Sequence, residues 1–203
     1  MRRSPPGNKR ERLGPNLERS EHTMTDIQTV GDRIAFLRGL RAIRQFRPDP
    51  VPQQVVGDIL EVARWSGSAS NRQPWELVVI RSRETLRALA EVKGYAGHLA
   101  GAPLGIVLVM AGERPEQETY DEGRLSERIM LAASAHGVGS SIGWIVGNGR
   151  ADAKDILGVP SERMVRTAIS LGYPYEDPPL RGRAVLSQGR KPLAEIVHEE
   201  RYG

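Results

Sequence analysis

Ile27, Val30, Ile34 and Leu37 recur at three- and four-residue spacing, a pattern that predicts an amphipathic helix running to about Leu40. Pro48, Pro50 and Pro52 then interrupt the chain. Pro52 is placed for the first turn of a second helix, whose apolar face is Val55, Val56, Ile59, Leu60 and Ala63. A polar loop from Ser66 to Pro74 leads into a β-rich run, Glu76–Arg81, and Ser82 is placed to cap a third helix carrying Leu86, Leu89 and Val92. Leu104–Met110 is a short continuous run of Val, Ile and Leu, the pattern of a buried strand. Tyr120 to His136 reads as a fourth helix with Leu125, Ile129, Ala132 and Ala133 on one side, its alanines open to close approach by another backbone or a flat ligand. Gly137-Val138-Gly139 ends it. Ser140–Val146 reads as a strand, Ala153–Leu157 as a short helix and Val165–Leu171 as a further strand. From Gln188 to Gly203 the chain reads as a basic turn and a short helix with Leu193, Ile196 and Val197. Helices and strands interleave irregularly, so the expected class is α+β rather than a regular βαβ ladder.

Composition narrows the chemistry. The 203 residues suit one domain with a sizeable core. With no cysteine there are no disulfides, thiolate metal sites or cysteine nucleophiles. The longest nearly apolar run, Ala102 to Gly112, is too short to span a bilayer, and the first twenty residues hold no apolar signal region. A cytoplasmic protein without a membrane partner is the expectation. The net charge of +4 sits mostly at the start: residues 1–22 hold six basic and three acidic side chains, against 23 and 22 in the remainder. No specific nucleic-acid partner is therefore expected. Residues 1–23 read as a basic tail, either a disordered extension or the product of an upstream start with Met24 as the working start, and residues 24–203 as the folded domain.

Two familiar patterns at one place do not hold. Gly139-Ser140-Ser141-Ile142-Gly143 matches the nucleophile-elbow string, but that motif works on a strand-to-helix turn and the order here is helix, turn, strand. Gly137, Gly139 and Gly143 fail as a dinucleotide fingerprint for the same reason, and their spacing is one residue too long. His22, His98, His136 and His198 share no helical spacing that would pair two metal ligands. His136, closing the fourth helix, reads as a capping or interface residue.

Three segments remain. In Arg41-Ala42-Ile43-Arg44-Gln45-Phe46-Arg47 the first two arginines project to one side if the first helix continues that far, and together they could clamp a phosphate; taken alone, the segment reads as a solvated helix end with favourable cations. Ser68-Ala69-Ser70-Asn71-Arg72-Gln73-Pro74-Trp75 gathers hydroxyls, amides and an indole in a loop pinned by proline, suited to the edge of a flat heterocycle or to an ordinary polar turn. Gly189-Arg190-Lys191-Pro192 is a second basic cluster, able to close on the same phosphate or to stand as a surface turn.

In this order, Arg-x-x-Arg-x-Phe at 41–46, Asn-x-Gln-Pro-Trp at 71–75, Gly-x-Gly-Ser at 137–140 with Trp144-Ile145, Leu-Gly-Tyr-Pro at 171–174 and Arg-Lys-Pro-Leu at 190–193 resemble the FMN-dependent nitroreductase family, from Ile34 to Gly203. The resemblance implies a central mixed sheet flanked by helices and a two-fold homodimer with FMN at the subunit interface. It assigns Arg41 and Arg44, with the backbone of Ala42, to the phosphate and ribityl end. Ser68, Ser70, Asn71 and Gln73 would flank the isoalloxazine, in part from the second subunit. Val146 and Gly147 would offer backbone groups to the flavin N5–O4 edge, and Arg190 with Lys191 would complete the phosphate site. The chain departs from the family at Ala42, where serine is usual, and at Gly67, where proline is common and glycine would loosen the loop. The implied activity is hydride transfer from NADH or NADPH through flavin N5 to a nitroaromatic, quinone or similar small acceptor, in ping-pong fashion. The flavin carries the chemistry and no side chain serves as an acid–base catalyst. The alternatives are a non-enzymatic flavin- or nucleotide-binding module, or a relative that dehalogenates, reduces alkenes or fragments flavin.

Overall fold

The computed structural model describes residues 29–176 and 189–202. The basic tail expected over residues 1–23 lies outside them. The chain divides into two units, one ending at Arg38 and one beginning at Gly39. The first holds nearly all of helix α1 (Val30–Gly39). Thr29 and Asp32 cap it reciprocally: the Asp32 N–H donates to Thr29 Oγ1 at 3.2 Å and the Thr29 N–H donates to Asp32 Oδ2 at 3.0 Å. The described helix opens at Val30, and Ile27 of the predicted spacing lies outside the described residues.

In the second unit, helices α2 (Gln53–Arg64), α3 (Arg83–Glu91), α4 (Pro115–Ala135) and α5 (Gly149–Leu157) alternate with strands β1 (Trp75–Ile80), β2 (Leu104–Met110), β3 (Gly139–Trp144) and β4 (Met164–Gly172). The α+β expectation holds. The sheet order is β1-β2-β4-β3, and all three pairings are antiparallel. Among the described residues, the mixed character implied by the resemblance goes no further than one isolated parallel bridge, Ala42 with Ser140.

Each face of the sheet carries its own core. Val56, Ile59 and Ala63 of α2 and Leu125 and Ile129 of α4 pack with Ile106, Leu108, Ile169 and Leu171 on one side. Leu86 and Leu89 of α3 and Ala153 of α5 pack with Val107, Val109, Val165 and Ala168 on the other. Strand β2, central and covered on both faces, is buried at all seven positions, which is why its sequence is continuously apolar rather than alternating. Ser82 caps α3 as predicted, its hydroxyl accepting the Thr85 N–H at 3.2 Å. Helix α4 begins at Pro115, five residues before the apolar periodicity starts, because its first half buries Glu118, Asp121, Glu122 and Ser126 instead of aliphatic side chains. Ala132 and Ala133 lie inside the chain's own core and offer no face to another backbone. At the C-terminal end the predicted short helix is a single 3-10 turn, Leu193–Glu195. Among the described residues no helix is long and apolar enough to cross a membrane.

Candidate functional site

Helix α1 stops at Gly39, and the chain beyond it is extended: Ala42 bridges Ser140, Phe46 bridges Pro174, and the Ile43 N–H donates to the Ser140 carbonyl at 2.8 Å. Arg41 and Arg44 therefore do not share a helical turn. Three apart on an extended segment, they leave it on opposite sides. Arg41 lines a cleft of about 290 Å³ with Leu40, Ile43, Ser134, Val138, Ser140 and Pro174. Gly137, at φ 69°, lets the chain turn out of α4 into this wall. At Gly139 an added Cβ would stand 2.9 Å from the Ile43 Cβ, so the approach of the 41–46 segment to β3 requires a glycine there. Arg44 lies close enough to His98 for its charge to be felt there. His98 Nδ1 is 2.7 Å from Ser170 Oγ, and burial first, then the Arg44 charge, hold its pKa below the usual 6.5, against the opposing effect of the Ile142 backbone.

The second segment forms a strained loop. Ser70, Asn71 and Gln73 all have positive φ, near 50°, in a stretch without glycine. Such conformations are costly unless the surroundings hold them, and they concentrate at functional loops. Here Ser68 Oγ accepts the Gln73 N–H at 2.8 Å, the Ser68 carbonyl accepts the Asn71 N–H at 3.1 Å, and the buried Asp121 carboxylate accepts the Ala69 N–H at 3.3 Å. A Cβ built at Gly67 would meet Arg124 Nη2 at 2.1 Å, the tip of a largely exposed side chain that is able to move aside. The Arg124 guanidinium lies against this backbone and, 3.7 Å from Asp121 Oδ1, joins that carboxylate in bracketing the loop from α4. Glycine thus admits an arginine where proline would supply stiffness.

These two segments do not meet within one chain. Asp121 sits under the loop while Ser134 and Gly137 wall the Arg41 cleft, and at 1.5 Å per residue α4 separates them by about 20 Å. Val146 and Gly147 follow β3, one of the two edge strands of the sheet. The Val146 N–H donates to the Lys93 carbonyl at 3.0 Å, and Gly147, exposed with φ 55°, turns outward beside it. Arg190 and Lys191 are exposed and do not line the Arg41 cleft.

From sequence the scattered Asp and Glu residues read as solvated faces, but Glu118, Asp121 and Glu122 are buried. Glu118 accepts the N–H groups of Gly112, Glu113 and Arg114 at 2.8 to 3.0 Å, and Glu122 Oε2 accepts from Arg166 Nε at 2.5 Å. The available signal was negative: Glu118, Asp121, Glu122 and Ser126 stand where a core helix repeats aliphatics. His136 closes α4, its Nε2 3.2 Å from Asp58 Oδ2. Ser141, the discounted nucleophile, is fully buried on β3.

A family model described as the nitroreductase family matches residues 37–94. The chain is 30% identical over 174 residues to an NADH dehydrogenase of Thermus thermophilus, an alignment covering 68% of this chain and 84% of that protein. It is 32% identical over 144 residues to a putative NADH dehydrogenase/NAD(P)H nitroreductase of Archaeoglobus fulgidus, covering 68% of this chain and 82% of that one. The chain belongs to the nitroreductase family. Among solved structures of this family's fold, an FMN-dependent nitroreductase from Clostridium difficile superposes with a TM-score of 0.72 at 26% identity, covering 83% of this chain and 99% of that one. The NADPH:FMN oxidoreductase of Vibrio harveyi complexed with NAD+ superposes with a TM-score of 0.68 at 23% identity, covering 84% and 77%.

Proposed function

We propose that this nitroreductase-family chain is an NAD(P)H-dependent flavin oxidoreductase that works as a homodimer. Each FMN is held between the Arg41 cleft of one copy and the Ser68–Gln73 loop of the other. The separation of these two segments along α4 carries the reading: a site that uses both needs a second copy. The donor set suits FMN. Arg41, whose Nη1 donates to the Leu40 carbonyl at 2.8 Å, would bring its guanidinium to the phosphate in a cleft walled by glycine backbone, with the Ala42 main chain alongside, and Arg190 and Lys191, exposed and off this cleft, would add their charges from the C-terminal stretch. Ser68, Ser70, Asn71 and Gln73 bring hydroxyl and amide groups to the rim of the ring system. Gly147, beside Val146, would offer its backbone to the N5–O4 edge, and Arg44, which leaves its segment on the side opposite Arg41, would place its positive charge toward the pyrimidine end instead of the phosphate.

FMN, when bound, supplies the two-electron chemistry, exchanging hydride first with NADH or NADPH and then with a small acceptor such as a nitroaromatic or quinone. The chain orients the two reactants in turn over one face and draws protons from solvent. A cytoplasmic location belongs to the same reading. The test is spectroscopic. Protein mixed with FMN and freed of excess is expected to stay yellow, to bleach anaerobically with NADH or NADPH, and to recover its colour on adding a nitroaromatic or quinone. Bound flavin that neither nicotinamide reduces would make this a flavin-holding module instead, and a colourless protein would remove the flavin altogether.

A further inference from the structure

Strand β4 carries an extra residue relative to β2. Thr167 pairs with Leu108 and Val165 with Val109, so Arg166 is the inserted residue of a β-bulge. The bulge inverts side-chain alternation at this point. Val165 joins Ala168 in the core beneath α3 and α5, while Arg166 is delivered to the opposite face and meets Glu122 of α4. The pair is almost fully enclosed, with side-chain exposures of 9% and 3%. It is also incomplete: Arg166 Nη2 and Glu122 Oε1 are buried without hydrogen-bond partners. Burying two charges with one strong bond between them and two polar atoms unsatisfied is a poor way to gain stability. Its position suggests another use. The Arg166 carbonyl accepts the Ile145 N–H at 2.8 Å, and its guanidinium lies 6.0 Å from the ring centre of Trp144. The pair thus lies where β4 joins Trp144 and Ile145, the two residues that lead into the turn at Val146 and Gly147.

We propose that Arg166 and Glu122 are positioning residues for this turn: the bulge-directed ion pair fixes the Val146–Gly147 backbone at the flavin edge. The inference rests on the flavin reading above. It assigns a task to a buried pair that touches neither flavin nor substrate.

Removing one partner strands a buried charge, so the informative variant is the double replacement Glu122→Leu with Arg166→Met, which exchanges the pair for apolar groups of similar length and is expected to stay folded. Against the wild-type holoprotein, three quantities are measured: the FMN dissociation constant by fluorescence quenching, the midpoint potential of bound FMN, and amide exchange across Trp144–Gly147. The double variant is expected to bind FMN about tenfold more weakly, to shift the potential, and to exchange faster at these amides. NAD(P)H-dependent flavin reduction should slow by about ten- to a hundredfold, as for a misplacement of about 1 Å. Arg166→Lys, which keeps the charge but loses the fork, should fall between the two. If the double variant folds with wild-type potential, affinity and exchange, the pair has no positioning role and the inference is wrong. If the double variant fails to fold, an Arg166→Lys holoprotein of unchanged potential and exchange overturns it equally. A wild-type protein that takes up no FMN refutes the flavin reading itself, and the inference with it, a result distinct from either.

Discussion

Arg41 and Arg44 differ by more than their numbers. One lines the glycine-walled cleft and the other lies toward His98, so their removal should have separable effects. Arg41→Ala is expected to cost a charge-assisted phosphate contact of about 1.5–3 kcal/mol, a ten- to hundredfold loss of FMN affinity by titration. Lysine at this position should recover part of it, because a point charge replaces a fork. His98 gives a pH signature. Its folded pKa lies below 6.5, so as pH falls below 6.5 the unfolded chain takes up a proton before the folded one does, and stability drops. Above 6.5 the imidazole is neutral in both states and this contribution is constant. Urea unfolding of wild type and His98→Gln across pH 5 to 8 should therefore show wild type losing more stability on the acid side, with the difference shrinking when Arg44 is replaced by Gln. Parallel curves would show that His98 is not held neutral.

At the scale of elements, α4 is the member that organises the site. Its acidic first half ties down two loops at once: Glu118 caps the 112–114 turn and Asp121 holds Ala69. Its second half is an ordinary apolar stripe ending at the Arg41 cleft. Glu118→Ala leaves three backbone N–H groups without their carboxylate, and the expected cost is on the order of 2–4 kcal/mol by denaturant unfolding. Glu118→Gln, able to satisfy part of the set, should cost less. Equal losses in the two variants would mean that packing, not hydrogen bonding, accounts for most of the cost. The loop's strain depends on the same helix, since Ser70, Asn71 and Gln73 keep positive φ only while Ser68 and Asp121 hold their backbone.

For the whole molecule, the decisive question is whether one site draws on two chains. Arg41→Ala and the loop variant Asn71→Ala/Gln73→Ala should each bind FMN poorly alone. When the two are unfolded together and refolded, each mixed dimer regains one intact site, and roughly a quarter of all sites should recover FMN for random pairing. A site contained within one chain would recover none. This measurement separates the shared arrangement from any local effect of the substitutions.

Much of the architecture was legible in the residues themselves, and the reasons are local. A run of seven residues rich in Val, Ile and Leu and bounded by turn residues is too short for a typical buried helix and fits a strand covered on both faces, as β2 is. Pro52 ahead of a spaced apolar set marks the start of α2, because its fixed φ suits a helix entry, and Ser82 ahead of Leu86 marks the start of α3, because its hydroxyl accepts a first-turn N–H. The set of site segments was likewise visible as polar clusters with defined chemistry. Where they lie was not. The ending of α1 at Gly39 turns Arg41 and Arg44 to opposite sides, and no periodicity in so short a stretch encodes that. The buried carboxylates of α4 run against hydrophobic patterning, since their partners, Ala69 and Arg166, come from remote parts of the chain. The bulge that aims Arg166 exists only in the register of two paired strands. Local propensity and capping act over a few residues and are written in order along the chain. The placement of charge, strain and glycine at a site is settled by what distant segments bring into contact, and only the tertiary structure decides that.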